Sequence, residues 1–264
     1  MQALVINLER SKSRLDFQNQ QLKKLGIFFE RIDAIDATHL NEDTYQVHAN
    51  SWERPLRRTE VACALSHLSA WQKVISGDRP YLILEDDALL SNHTKLLIDA
   101  LAPRSDYDCI TLETRMRRKT ISRKKQRICK GFWLSRLIQD KSGAAAYALW
   151  PSGAKRLLAW YHDHGLGLAD AMLSLGPNWN HGQIEPAVAI QMDCCDYYGV
   201  QSPIETSTNI NNVPKPKASS IYPFLWRRLK AQMRMATRKL FATISAETTE
   251  IQPHGIKNYS SIDG

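Results

Sequence analysis

The stretch that most restricts the fold is Tyr81-Leu-Ile-Leu-Glu-Asp-Asp-Ala-Leu-Leu90, where a short apolar run ends in three successive carboxylates, Glu85, Asp86 and Asp87. Bounded upstream by Asp78, Arg79 and Pro80, the run reads as a buried strand. Adjacent carboxylates at a strand end repel one another unless a cation lies between them. Hard divalent ions such as Mn2+ or Mg2+ take oxygen ligands, commonly shared with nucleotide phosphates. A charged surface turn fits the tripeptide equally well, so the rest of the chain has to separate the two readings.

The flanking segments predict an α/β fold. Ala3 to Leu8 is strand-like, Ser13 to Asp16 has the spacing of a helix N-terminus, Gly26 is placed to end that helix, and Ile27 to Ile32 resumes an extended pattern. Such a βαβ opening begins many nucleotide-binding sheets. It puts Arg14 in the first helical turn, near the strand end where these folds bind phosphate, although a solvated helix arginine has the same spacing. Residues 33–56 are irregular and predict a long loop. A helix from Thr59 to Gly77 follows, with Glu60, His67 and Trp71 within about 40° on one face. That stripe either lines a ligand pocket or contains a half-buried, satisfied histidine.

After the carboxylates, a helix over 92–101 and a strand over 107–112 ending at Glu113 are expected. Gly143 to Trp150 reads as a small-residue strand that allows close approach, and Pro151 opens a helix through Trp160. His162 and His164 lack the further ligands that zinc requires. Asp170, at the start of a short apolar helix, is either an N-cap or an active-site carboxylate. Ile184 to Gln191 looks like the last strand.

Charge divides the molecule. Residues 115–130 carry nine basic side chains and no acid, residues 215–239 carry eight and no acid, and the remainder is net −9 against +8 for the whole. An acidic body with two basic segments argues against a general nucleic-acid coat and for localised anionic partners. The first segment shows neither helical nor strand periodicity and is expected to be a solvated loop, or a cradle for a phosphorylated acceptor. The second lies in a helix over 222–244, after a Ser, Thr, Asn and Pro-rich linker over 201–220. Leu225, Leu229, Met233, Ala236 and Leu240 fall on one side of it and Arg227, Lys230, Arg234 and Arg238 on the other. At about 1 kcal/mol per cation near an anionic bilayer, this helix predicts attachment to a membrane surface. No apolar run reaches transmembrane length and no signal-peptide pattern is present, so a cytoplasmic protein is expected. The five cysteines show no Cys-x-x-Cys spacing and are expected as free thiols.

Taken together, Val5-Ile-Asn-Leu8 with Arg14, Asp33-Ala-Ile35, Glu60 to His67 with Trp71, Leu84 to Asp87, Thr111 to Thr114, Ser142 to Tyr147, Gly167 to Asp170 and Glu185 to Val188 resemble the glycosyltransferase family 25 enzymes of bacterial lipooligosaccharide synthesis. The motifs run in the family's order over about the first 200 residues. Ala145-Ala146, where relatives tend to have Ala-Gly, and Leu168-Ala169, where Pro-Val is usual, depart from the pattern on the acceptor side. The resemblance implies a single GT-A-like, Rossmann-like nucleotide-sugar domain over 1–200, with the linker, the basic helix and a 245–264 tail beyond it. It implies inverting transfer of a hexose, most often galactose, from a UDP-sugar donor to a lipooligosaccharide acceptor at the inner-membrane surface. Asp87, supported by Glu85 or Asp86, would hold the Mn2+ or Mg2+. Asn7, Glu60 and His67 would face the nucleotide and Arg14 its phosphates. Asp170 would be the general base, with Glu113 the second candidate. The competing expectation is a membrane-associated binding module with a degenerate site.

Overall fold

The structure is a computed structural model that describes residues 1–140, 143–175, 179–204, 222–242 and 245–259. In chain order the elements are β1 (Gln2–Asn7), α1 (Lys12–Leu25), β2 (Phe29–Asp33), α2 (Glu42–Ala49), α3 (Arg58–Ile75), β3 (Tyr81–Glu85), β4 (Ala88–Leu90), α4 (Thr94–Leu101), β5 (Cys109–Thr111), β6 (Glu113–Thr114), β7 (Arg118–Cys129), β8 (Phe132–Gln139), β9 (Ala146–Leu149), α5 (Pro151–His164), α6 (Ala169–Leu175), β10 (His181–Glu185), β11 (Ala189–Gln191), α7 (Tyr222–Ala242) and β12 (Ala246–Glu250). A mixed nine-stranded sheet runs in the order β12-β7-β8-β10-β5-β9-β3-β1-β2, and a small second sheet runs β4-β11-β6.

The α/β class expected from the βαβ opening is what forms. β1 pairs in parallel with both β2 and β3, and Gly26 ends α1 in the left-handed conformation at φ 65°, which glycine adopts without the Cβ clash. Side chains alternate across a strand. Leu4, Ile6, Tyr81 and Ile83 therefore enter the core layer beneath α3, α5 and α6. Ala3, Val5, Leu82 and Leu84 enter the opposite layer, with Leu22, Leu97, Ile98 and Leu101. Burial on both faces explains the unbroken apolar run before Glu85.

The structure corrects several expectations. Residues 33–56 are not one loop, because Asn41 caps the eight-residue α2, its side chain accepting from the Asp43 N–H at 2.8 Å. The basic segment expected as a solvated loop is β7 of a long antiparallel hairpin with β8. Its register shifts near Thr120, Ile121 and Arg127 break the period-two pattern by which strands are recognised. One of its cations, Lys119, points inward to an ion pair with Asp140 at 2.7 Å. The single last strand expected over 184–191 is two strands, β10 and β11, belonging to different sheets. Residues 246–250, expected within a tail, form the edge strand β12 against β7, and the buried Ile251 and Tyr259 follow it. Most of the expected linker lies outside the described residues. All five cysteines are free, with Cys109, Cys194 and Cys195 buried.

Within α7, Leu225, Leu229 and Met233 are exposed and Ala231 is buried. Arg227, on the Ala231 side, donates to the backbone carbonyls of Asn50 and Trp52. The helix thus touches the body with one side and turns Leu225, Leu229 and Met233 outward. Among the described residues, no helix is long and apolar enough to cross a membrane.

Candidate active site

Strand alternation continues beyond β3 and sorts the three carboxylates. Glu85 turns toward α3, where its Oε1 lies 3.1 Å from His67 Nε2. Asp86 turns toward α1. Asn7, at the end of β1 on that same side, donates to Asp86 Oδ2 at 2.8 Å, and Arg14 Nη1 donates to Oδ1 at 3.0 Å. With both oxygens engaged, Asp86 anchors strand to helix. Gln18 reinforces the joint by donating to the Asp86 and Ala88 carbonyls.

Asp87 lies between these two faces. Gln191, at the end of β11, donates from Nε2 to Glu85 Oε2 at 3.1 Å and to the two Asp87 oxygens at 3.3 and 3.2 Å, while Arg14 stands 3.9 Å away. Burial first, then the charges of Glu85 and Asp86, push the Asp87 carboxyl up to about 7, against the opposing Arg14 charge. Burial also raises Asp86, opposed by Arg14 and Asn7. Burial works against ionised Glu85 too, yet the His67 hydrogen bond and the Arg115 and Arg14 charges outweigh it and leave that carboxyl below its ordinary value. Three acids face Arg14 and the charge of Arg115, which leaves negative charge in excess. That charge and the all-oxygen donors of Asp87 and Glu85 fit a hard divalent cation.

His67 is fixed from behind. Its Nδ1 lies 3.0 Å from the Tyr147 hydroxyl, which accepts the Trp71 indole N–H at 2.8 Å. β9 pairing with β3, Ile83 opposite Tyr147, sets this alignment. The expected His67 and Trp71 stripe on α3 is therefore a buried network ending at Glu85. Glu60 stands apart from it. Its carboxylate takes two hydrogen bonds from Arg54, at 2.8 and 2.7 Å, and a third from the Arg57 N–H at 2.8 Å at the start of α3.

Glu113, the first residue of β6, is 1% exposed. Its Oε1 accepts from the Ala145 N–H at 2.9 Å, and its Oε2 has no hydrogen-bond partner among the described residues. Burial, with the charges of Glu85 and Asp140, pushes it up to about 8 although Lys119 opposes. Gly143 backs onto it at φ +103°, and a Cβ there would stand 2.6 Å from Glu113 Oε1. Asp170, in the first turn of α6, accepts from the Ala171 N–H through Oδ1 at 2.7 Å. Burial raises its pKa, opposed by that N–H and assisted by the charges of Asp140 and Glu85.

Asn7, Arg14, His67, Glu85, Asp86 and Asp87 thus converge, Glu113 and Asp170 are electrostatically coupled to Glu85, and Glu60 serves the start of α3. Reasoning from sequence missed Gln191, whose position at a strand end carries no local signal, and Arg115, which pairs with Asp193 at 2.7 Å and acts electrostatically on Glu85 and Asp170.

Comparison with known proteins gives the family. Residues 1–172 match the family described as "Glycosyltransferase family 25 (LPS biosynthesis protein)". The chain is 28% identical over 199 residues to a Haemophilus influenzae "Lipooligosaccharide biosynthesis protein lic2B", covering 71% of this chain and 74% of that protein. It is 34% identical over 103 residues to "Procollagen galactosyltransferase 2" of Mus musculus, 34% of this chain but only 16% of the mouse protein. It is 28% identical over 173 residues to the human "Inactive glycosyltransferase 25 family member 3", covering 60% of this chain and 28% of that protein. The family match spans more than half of the 264 residues and takes in every acidic candidate above, and on that basis the chain belongs to glycosyltransferase family 25.

Proposed function

We propose that this chain is an inverting, metal-dependent glycosyltransferase of GT-A-like fold that moves a hexose, galactose, from a UDP-sugar to a lipooligosaccharide acceptor. The observation that carries the reading is the convergence of Glu85, Asp86 and Asp87 with Asn7 and Arg14 where β1 and β3 end. The lipooligosaccharide acceptor is supported by the name of the Haemophilus relative and galactose by that of the mouse relative.

In this reading Asp87 and Glu85 hold an Mn2+ or Mg2+ ion, which when bound neutralises the charge that develops on the departing diphosphate. Asp86 holds β3 to α1 and presents Arg14 beside Asp87, where the guanidinium can meet phosphate oxygens. His67 and Gln191 fix the rotamer of Glu85 from either side. Asp170 takes the proton of the acceptor hydroxyl as its oxygen attacks the anomeric carbon, and its raised pKa brings it toward the working range of a base. Glu113 is sealed from solvent and keeps its proton near neutrality, so it is poorly placed to serve as the base. The outward Leu225, Leu229 and Met233 of α7, flanked by Arg228 and Lys230, rest on the anionic inner-membrane surface where a lipid-linked acceptor would be found.

The test is metal-dependent UDP-sugar turnover by the wild-type chain and by Asp87→Asn. The variant removes a charge from a crowded cluster, so it should fold while losing turnover by about 10³-fold, the equivalent of several kcal/mol of lost transition-state stabilisation. Undiminished turnover would refute the metal assignment. A second reading, a membrane-bound module with a degenerate site, is favoured by the human relative whose name calls it inactive. It predicts vesicle binding without nucleotide binding or UDP-sugar hydrolysis.

A further inference from the structure

α3 carries a second set of potential ligands facing Glu85. Cys63 and His67 are one helical turn apart and share a face. The Cys63 sulfur, an imidazole nitrogen of His67 and a carboxylate oxygen of Glu85 all lie within 4.8 Å of one another. The His67 Nε2 to Glu85 Oε1 separation is 3.1 Å. In a tetrahedral site with metal–nitrogen and metal–oxygen bonds of about 2.0–2.1 Å, the corresponding edge is about 3.3 Å. A sulfur ligand at about 2.3 Å sits roughly 3.6 Å from its neighbours, so modest movement of the Cys63 side chain would close the set.

The surroundings are those of a ligating histidine. Trp71 Nε1 is a donor only, so the Tyr147 oxygen accepts from it at 2.8 Å and keeps one lone pair and its own proton for His67. The imidazole can therefore accept at Nδ1 and donate from Nε2 to Glu85. It can equally donate from Nδ1 to the Tyr147 oxygen and free the Nε2 lone pair for a metal. An outer partner that fixes the ring and permits the ligating tautomer is a regular accompaniment of metal-bound histidine. Gln191 holds the other Glu85 oxygen. Cys63 and Glu85 are both partly exposed, which leaves a route by which an ion can enter.

We propose that Cys63, His67 and Glu85 form a cation site for a thiophilic divalent ion of the zinc class, distinct in chemistry from the oxygen set of Asp87 and sharing Glu85 with it. Thiolate and imidazole favour Zn2+ or Co2+ over Mg2+ and Mn2+. Binding exchanges the Cys63 thiol proton for a metal–sulfur bond, releasing one H+ to solvent. An ion there draws Glu85 away and adds positive charge beside Asp87, so it antagonises the hard cation of the donor site. This last consequence rests on the function proposed above, whereas the site itself does not.

Co2+ titrated into the metal-stripped full chain tests it. The expected result is a thiolate-to-cobalt charge-transfer band with tetrahedral ligand-field bands, saturating at one equivalent and abolished by stoichiometric Zn2+. Cys63→Ser should lose the charge-transfer band while keeping the wild-type circular dichroism, and Asp87→Asn should keep the band. No band in the wild type, or a band undiminished in Cys63→Ser, overturns the site. The readout requires no sugar donor, so its failure leaves the transferase reading untouched, and absent transferase activity with an intact band refutes that reading alone.

Discussion

Replacing Glu113 by Gln isolates the cost of one buried proton. In the folded chain the Glu113 carboxyl holds its proton up to about pH 8, against an ordinary value of 4.5. The unfolded chain releases that proton near the ordinary value, so between the two the folded state binds more protons and stability falls as pH rises. Each pH unit is worth about 1.4 kcal/mol for one proton. From pH 6 to pH 8 the wild type should therefore lose roughly 2–3 kcal/mol that Glu113→Gln does not lose, and above about pH 8 the difference should level off. Gln keeps an Oε1 to accept from the Ala145 N–H and places an amide where the protonated Oε2 stood, so the packing beside Gly143 is preserved. Guanidinium denaturation of both proteins at half-unit steps from pH 5 to pH 9 reads the effect, because titrating groups that do not interact with Glu113 cancel in the difference. A flat difference across this range would show that Glu113 ionises normally, refuting both its neutral state and its placement in a sealed pocket.

Gly143→Ala puts a methyl group 2.6 Å from Glu113 Oε1 at φ +103° and should lower stability by about 1–3 kcal/mol, seen as a lower denaturation midpoint. Asp170→Asn should reduce kcat by roughly 10²–10⁴-fold with UDP-sugar affinity unchanged. An equal loss of both would mark the residue as structural. The double reversal Arg228→Glu with Lys230→Glu on α7 should release the chain from anionic vesicles in a co-sedimentation assay while sparing turnover of a soluble acceptor, since each cation contributes about 1 kcal/mol at such a surface. Undiminished sedimentation would sink the membrane role. Substitution is preferable to truncation after Ser220, which would also remove β12 from the sheet edge.

The part of the fold legible in the sequence is the part built by local rules. The β1-α1-β2 opening, the Gly26 stop and the apolar run before Glu85 each follow from periodicity or from a backbone demand that one residue meets. The alternation of β3 even determines which side Glu85 and Asp86 face. The hairpin of β7 and β8 was hidden because its bulges disrupt the pattern and a buried lysine, Lys119, stands where an apolar residue would be expected. β12 was hidden because Ala246-Glu-Thr-Thr-Glu250 acquires strand character only from pairing with β7, more than a hundred residues away in sequence. In the site, the carboxylates announced themselves through their clustering. Glu60 looked similar on a helical wheel, but its oxygens are taken by Arg54 and the Arg57 backbone, partners that no wheel displays. Gln191 joined Glu85 and Asp87 only once β11 folded beside β4.

The position of α7 in the chain has a geometric consequence. Its last residue, Ala242, precedes the first residue of β12, Ala246, by four positions, and four residues of extended chain reach at most about 14 Å. A leash that short prevents the helix from settling on a bilayer while the body floats freely above it. Wherever the C-terminal end of α7 touches down, the edge formed by β12 and β7 must come with it, bringing Arg123, Lys124 and Arg127 toward the same negatively charged surface. If α7 meets a membrane in the way proposed, that contact would define the tilt of the whole molecule, and with it which side of the carboxylate cluster faces the bilayer.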